Sequence, residues 1–422
     1  MDGCFAKKVA MLNSISRNLL RGDWSSARIE EVIARHPHKP LLPGIGSDVW
    51  RKVANNPLLQ QLAKPSRVMA EDECGEPLPE LTDELYSSFR RTGIRLTFER
   101  VYFERRRRLA RVVISLLLSS ENDPWRKRLT DSVINKLTSI FEEVSWALPA
   151  HVHWHDNEDF SGKDPLQIDL FCAETANLMA EMLDLLGDVI PSELRTRIRE
   201  RLLHDVFENY VDEANSWRFS WKQNSHNWNA VCHQGVVGAA LSQLNDPHLL
   251  AKILAAAKEC LPLFLGGFGN DGGCSEGPGY WSYGFGWFTV LNEQLEARTD
   301  GELSLFEDDE HVRAIARYGP RVSLTAGNLV NFSDNAASGD LNASLLGYLG
   351  KRLNEPEFLV LAQENYRKLV QNGFNPNVQR ADLFYLVRLI LRCPDDLSKP
   401  VHFVRQDCFL PDLAMIVASG ND

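Results

Sequence analysis

The chain has no apolar run long enough for a bilayer. Over 422 residues the longest run, Val112 to Leu118, is broken by Ser115, whereas a spanning helix needs about 20 apolar residues. It also lacks paired cysteines. The eight Cys (4, 74, 172, 232, 260, 274, 393 and 408) are widely spaced, contain no C-x-x-C pair, and several fall in apolar helical stretches. Buried free thiols, and so a reducing compartment, are the expectation. Met1 to Trp24 carries scattered charges without a continuous apolar core, so no signal peptide is read there. The chain as it stands reads as cytoplasmic, or as periplasmic or secreted if a leader has been removed. There is no cationic surplus: the net charge is −11. That excludes a dedicated nucleic-acid binder, whose affinity rests on phosphate neutralisation, but it permits an anionic ligand in a local basic cleft. Strand-like alternation is nearly absent, and no sequence repeat is found.

What is present is a globular composition, 24% charged and 44% hydrophobic. The length suggests two or three domains, or one large repetitive one. Residues 1–85 are loop-rich, with prolines at 37, 40, 43, 57, 65, 77 and 79. They read as short helices wrapped around a larger body. From residue 86 the pattern becomes helical, with segments near 90–119, 126–145, 166–187, 192–214, 227–243, 247–262, 281–298, 308–318, 339–351, 355–371 and 378–392. Gly187 and the Asp246-Pro247 pair mark a stop and a start. The segments 166–187 and 227–243 are apolar on more than one side, which predicts layered helices rather than a single bundle. An α/α-hairpin body over 86–397 is therefore expected. Phe409 to Ala418 reads as the first strand of a sheet, placing the start of a β region at 398–422.

Two stretches carry chemistry. Gln223-Asn224-Ser225-His226-Asn227-Trp228-Asn229 opens an apolar helix, and Glu276-Gly277-Pro278-Gly279-Tyr280-Trp281-Ser282-Tyr283 begins 47 residues further on. Helix capping alone accounts for Asn and Ser at the first. It does not account for His226 and Trp228, and a helix N-terminus with amide and imidazole groups is a natural carboxylate seat. Trp217, Trp221 and Trp228 suit stacking on sugar rings. Gly266 to Gly279 holds seven glycines, and Gly267-x-Gly269-x-x-Gly272 formally matches a dinucleotide fingerprint. No βαβ unit surrounds it, so that match is rejected. Asn331-Phe332-Ser333-Asp334-Asn335 is a polar turn or a ligand-facing loop. His151, His153 and His155 are the best metal-like cluster, but without a distant ligand they read as the polar mouth of a cleft. Arg105 to Arg108 reads as a solvated helix face.

Taken together, His226-Asn227-Trp228-Asn229, Asp271-Gly272-Gly273 with Glu276 to Trp281, and Asn331 to Asp334 resemble the heparinase II/III-like polysaccharide lyases. Trp146-Ala147-Leu148-Pro149 and the Asp169-Leu170 helix start add to the likeness, which spans about residues 40–420. The resemblance implies an incomplete (α/α) toroid followed by an antiparallel β-sandwich, and cleavage of uronate-containing polysaccharide by β-elimination. It puts Tyr280 in the catalytic tyrosine's position, with Tyr283 as substitute, and His226 or Asn227 in that of the carboxylate-neutralising residue. Trp228, Asn229, Glu276, Tyr283, Trp221, Asn331, Asp334 and His153 are expected to line the substrate. The family's β domain supplies a further histidine and often a structural zinc, and this chain ends where that domain would begin. The reading is then of a toroid fragment or a shortened member.

The chemistry suits these residues. A uronate C5 proton becomes acidic when its carboxylate is neutralised, and amide or imidazole donors stabilise the enolate-like charge. A phenol, with an ordinary pKa of about 10, abstracts the proton once a cation lowers that value. It then protonates the leaving oxygen, and no cofactor is required. Two other classes remain open. One is a glycoside hydrolase using Glu276 with Asp271 or Asp334. The other is a non-catalytic glycan-binding toroid. Partners are expected to be an acidic poly- or oligosaccharide, with no nucleic acid and no membrane. The particular uronate polymer, such as glycosaminoglycan or alginate, and the oligomeric state stay undetermined by the sequence.

Overall fold

The architecture is given by a computed structural model that describes residues 24–152, 163–306, 310–324, 327–336, 339–377, 382–398 and 401–418. The chain is mainly helical, with one small sheet near the C-terminus. The helices are α1 (Ser26–Arg35), α2 (Asp48–Ala54), α3 (Pro57–Glu73), α4 (Asp83–Thr92), α5 (Leu96–Leu117), α6 (Arg126–Phe141), α7 (Leu170–Leu186) and α8 (Ser192–Arg201). Then follow α9 (Asn227–Gln243), α10 (Pro247–Leu265), α11 (Pro278–Arg298), α12 (Glu310–Arg321), α13 (Ala343–Arg352), α14 (Pro356–Asn372) and α15 (Leu383–Leu391). After α8 the chain widens into a π-helical stretch, Leu202–Glu208. Among the described residues no helix is long and apolar enough to cross a membrane.

The chain divides into two compact units. The first comprises Met1–Lys39, Phe219–Arg367 and Pro394–Asp422; the second comprises Pro40–Arg218 and Lys368–Cys393.

In the first unit α9 is the centre. Nearly all of its residues are buried, which is what a helix apolar all round requires. It packs on α10 through the short connection 244–246, and on α11; α1 packs on α10. The α9–α11 contact is close because Gly238 has no side chain. A Cβ there would stand 2.3 Å from Gln294 Oε1 and 2.8 Å from Gln234 Nε2. Those two buried glutamines hydrogen-bond across the interface at 2.9 Å.

In the second unit α5 packs on α3, α4, α6 and α15. The Arg105–Arg108 run at its middle is not a solvated face. Arg105 is 4% exposed, Arg106 9% and, one turn on, Arg111 0%. Arg105 and Arg106 each meet Glu143 at 2.8 Å, and Arg111 meets Glu73 and Glu104 at 2.8 Å. The carboxylates come from α3, α5 and the turn after α6, so a local charge count could not reveal that the run is neutralised and buried.

The C-terminal expectation is also corrected. Phe409 to Ala418 is not one strand. Cys408–Leu410 (β1) and Met415–Val417 (β2) pair antiparallel, with Phe409 opposite Ile416. Between them Pro411 opens a 3-10 turn and Ala414 takes a left-handed conformation, φ 49°. Proline has no N–H for a ladder, so the strand ends there. Pro65, counted above as a loop signal, lies inside α3.

Candidate functional site

The candidate site lies in the first unit, where α9 and α11 begin. His226 is the N-cap of α9: its backbone is extended and its Nδ1 accepts from the Trp228 N–H at 3.4 Å. In the neutral ring that leaves the proton on Nε2, as a donor. The ring is half-buried and meets Trp228 edge to face. Asn227, the first helical residue, is buried, and its Nδ2 donates to Glu276 Oε2 at 3.3 Å. Glu276 is half-buried and stands just before α11. The two motifs, far apart in sequence, thus meet through one amide–carboxylate bond.

Tyr280 is in the first turn of α11 and half-buried. Among the described residues no hydrogen bond engages its hydroxyl. One turn further along the same helix face, Gly284 packs against α9 so closely that a Cβ would stand 3.0 Å from Asn227 Cβ. Tyr280 therefore shares the face of α11 that turns toward Asn227. Trp281, on another face, is fully buried and donates its indole N–H to the Ile315 carbonyl at 2.7 Å. Tyr283 is half-buried and packs edge-on to Trp287.

The third motif joins the same corner. The Gly279 N–H donates to Asn335 Oδ1 at 2.9 Å. Asn331 and Asp334 are exposed at the tip of this loop, with Ser333 left-handed at φ 54°. Asn335 had not been singled out from the sequence; it is the last residue of the polar loop, and its role depends on a helix start 56 residues earlier.

Other expected site residues turn out to hold the frame. Asn229 is fully buried, and its Nδ2 serves the carbonyls of Lys222, Asn224 and Cys260 at 3.0–3.1 Å. It fastens the loop before α9 to α10 and offers no surface to a ligand. Trp221 is 2% exposed and lies edge-on against His233, a core contact and not a stacking platform. Trp228 remains half-buried at the helix start. His153, His155 and the side chain of Trp217 lie outside the described residues. His151 has both ring nitrogens engaged: Nδ1–H donates to Asp169 at 2.7 Å and Nε2 accepts from Arg95 at 2.9 Å. Among the described residues no group of three or more His, Cys, Asp or Glu is placed to hold a metal ion.

Burial sets the electrostatics around the start of α9. It lowers the Lys222 ammonium to about 8, and that ammonium sits 5.1 Å from the Phe219 ring. It lowers His233 to about 3, the backbone carbonyl of Asn229 acting in the opposite sense. The Cys274 thiol is pushed up to about 11, chiefly by burial, with the Glu276 charge adding to it.

The glycines of 266–279 are spacing devices. Gly272 has φ +82° and a Cβ there would meet the Ala314 carbonyl oxygen at 2.1 Å; at Gly269 it would meet Asp412 Cβ at 2.7 Å. Asp271 accepts from the N–H groups of Gly273 at 2.8 Å and Asp412 at 3.0 Å, and Asp412 accepts in turn from Asn270 at 2.5 Å. The C-terminal hairpin is thereby fixed to the loop that leads to Glu276, and the Asp271 carboxylate is committed to backbone donors. No family model matches the chain, and no curated protein matches it.

Proposed function

We propose that the protein is a polysaccharide lyase that cleaves a uronate-containing chain by β-elimination, on a helical body of (α/α)-toroid type. The observation that carries this reading is the meeting of three separated motifs at one corner, through Asn227–Glu276 and Gly279–Asn335. Tyr280, on the helix face turned toward Asn227, acts as the phenolate that takes the C5 proton and then, as the phenol so formed, gives that proton to the leaving glycosidic oxygen, which returns the phenolate. The uronate carboxylate is neutralised by the second N–H of Asn227 and by His226 Nε2–H, at the positive end of the α9 dipole. Glu276 holds the Asn227 amide in place. Half-buried Trp228 and Tyr283 give apolar surface for a sugar ring. Neither step needs a cofactor. The hydrolase reading has less support, because the Asp271 carboxylate is tied to two backbone donors.

The test is product absorbance in the near ultraviolet on a panel of uronate polymers, since elimination leaves a conjugated double bond and hydrolysis does not. Tyr280→Phe keeps the ring and removes the oxygen, so turnover should fall by about 10²–10⁴-fold while substrate binding is retained. Full activity in that variant would remove Tyr280 from the reaction and make Tyr283 the next residue to test.

A further inference from the structure

The first turn of α11 has no cap of its own. Its N-cap, Gly277, has no side chain, and Pro278 has no N–H, so the first backbone donor belongs to Gly279. Asn335 takes it, Oδ1 accepting at 2.9 Å from 56 residues away. The same amide donates through Nδ2 to the carbonyls of Val330 at 3.2 Å and Ala336 at 2.6 Å. One side chain thus closes the 330–336 turn and ties it to the residue before Tyr280.

The glycines on either side of Pro278 make room for this. A Cβ on Gly277 would stand 2.9 Å from Asn335 Cβ, and one on Gly279 2.9 Å from Asn335 Oδ1. Gly277 also has φ +93°, a conformation that a side chain would strain. The Gly277-Pro278-Gly279 spacing therefore follows from Asn335 as much as from helix initiation. A cap supplied by a neighbouring residue would not need Gly279 to be bare.

We infer that Asn335 is a positioning residue for Tyr280, fixing the first turn of α11 against the Asn331–Asp334 tip so that a ligand touching that tip also meets the phenol. The inference rests on the lyase reading for its kinetic consequence, but not for its structural one. Two readouts separate them. The first is turnover on uronate polymer. Asn335→Ala should lower kcat by about tenfold or more, as small misplacements of reacting groups do, with KM little changed. Asn335→Asp keeps an acceptor for Gly279 but sets a carboxylate oxygen against the Val330 and Ala336 carbonyls, so it caps the helix without holding the turn and should recover little of the loss. The second readout needs no activity. Nitration of tyrosines by tetranitromethane, located by peptide mass spectrometry, reports the surroundings of each phenol. Asn335→Ala and Asn335→Asp should each change the rate at Tyr280 severalfold relative to Tyr283 in the same sample, since neither holds the Val330 and Ala336 carbonyls. Unchanged nitration and unchanged kcat, with only a lower melting temperature, would overturn the inference and leave Asn335 a helix cap. Altered nitration at Tyr280, with no elimination by the parent protein on any polymer, would uphold the positioning role and overturn the lyase reading. If Asn335→Ala does not fold, Asn335→Asp decides alone: a Tyr280 rate left at the parent value there would count against the inference.

Discussion

Replacing Glu276 by glutamine separates orientation from charge at the candidate site. Glu276 Oε2 accepts from Asn227 Nδ2 at 3.3 Å, and a glutamine carbonyl accepts the same bond, so the amide stays turned as it is. What disappears is a negative charge beside the proposed seat of the uronate carboxylate. A substrate oxygen on the other Asn227 N–H, about 2.9 Å away, puts the two carboxylates roughly 6 Å apart. At an effective dielectric constant of about 40–80, suited to a half-exposed carboxylate, their repulsion is about 0.7–1.4 kcal/mol. Removing it should lower KM for a uronate polymer by about 3- to 10-fold, with kcat changed by less than about twofold, and the gain should shrink as salt is added. Initial rates by near-ultraviolet absorbance over a range of polymer concentrations, at low and high ionic strength, measure this. A glycosidase acid or base has no such latitude: its loss costs about 10²-fold or more in kcat. A collapse of kcat in Glu276→Gln would therefore refute the orienting role and favour hydrolysis.

The frame beneath the site makes further predictions. Asn229→Ala strands three carbonyls that one buried amide now serves, and urea denaturation should show a loss of about 2–4 kcal/mol; less than 1 kcal/mol, roughly one ordinary bond, would mean that water replaces it. His233 is fully buried with its pKa lowered to about 3, against about 6.5 when unfolded. Below the unfolded value the unfolded chain binds a proton that the folded one refuses. Stability is thus complete above about pH 6.5 and is lost toward pH 3, by up to about 1.4 kcal/mol per unit. Denaturation midpoints from pH 7 to pH 4 should fall less steeply in His233→Gln than in the parent, and parallel slopes would count against a buried neutral imidazole.

Much of the helical framework was legible because its signals are local. Asp246 caps α10 by accepting from His248 and Leu249, as the Asp-Pro pair predicts, and Asp169 caps α7 in the same way. The 227–243 segment, apolar on more than one side, predicts a helix buried on more than one side, and in α9 every residue but Trp228 is buried. The failures are long-range. Glu73 and Glu143, which neutralise Arg111 and Arg105, lie 38 residues from them along the chain, so a window on the arginine run contains Glu104 but neither of these. The split of 409–418 into a hairpin was within reach of a local reading, since Pro411 forbids a continuous ladder. What overrode it was the alternation on either side of that proline.

The residue types of the candidate site are plain in the sequence, and which of them the backbone already uses is not. A polar residue beside an apolar helix start satisfies two different needs, capping and ligand binding, with the same chemistry. Sequence does not separate them, because the distinction is whether the backbone has already used the side chain. Asn227 and Asn229 show this. They are the same residue type two positions apart on one helix, so they point to different faces. Asn229 faces the loop and α10, where its amide meets three carbonyls. Asn227 faces α11 and spends one N–H on a carboxylate. The glycines carry the complementary lesson. The spacing Gly267-x-Gly269-x-x-Gly272 imitates a phosphate-binding loop because both need backbone to come close to something bulky. Here that something is protein: the Ser225 carbonyl at Gly267, Asp412 at Gly269 and Ala314 at Gly272. A loop fixed at each of these glycines has little freedom left. Glu276 and Tyr280, which follow it, are presented from a clamped segment, the preorganisation that the proposed acid/base role of Tyr280 would require.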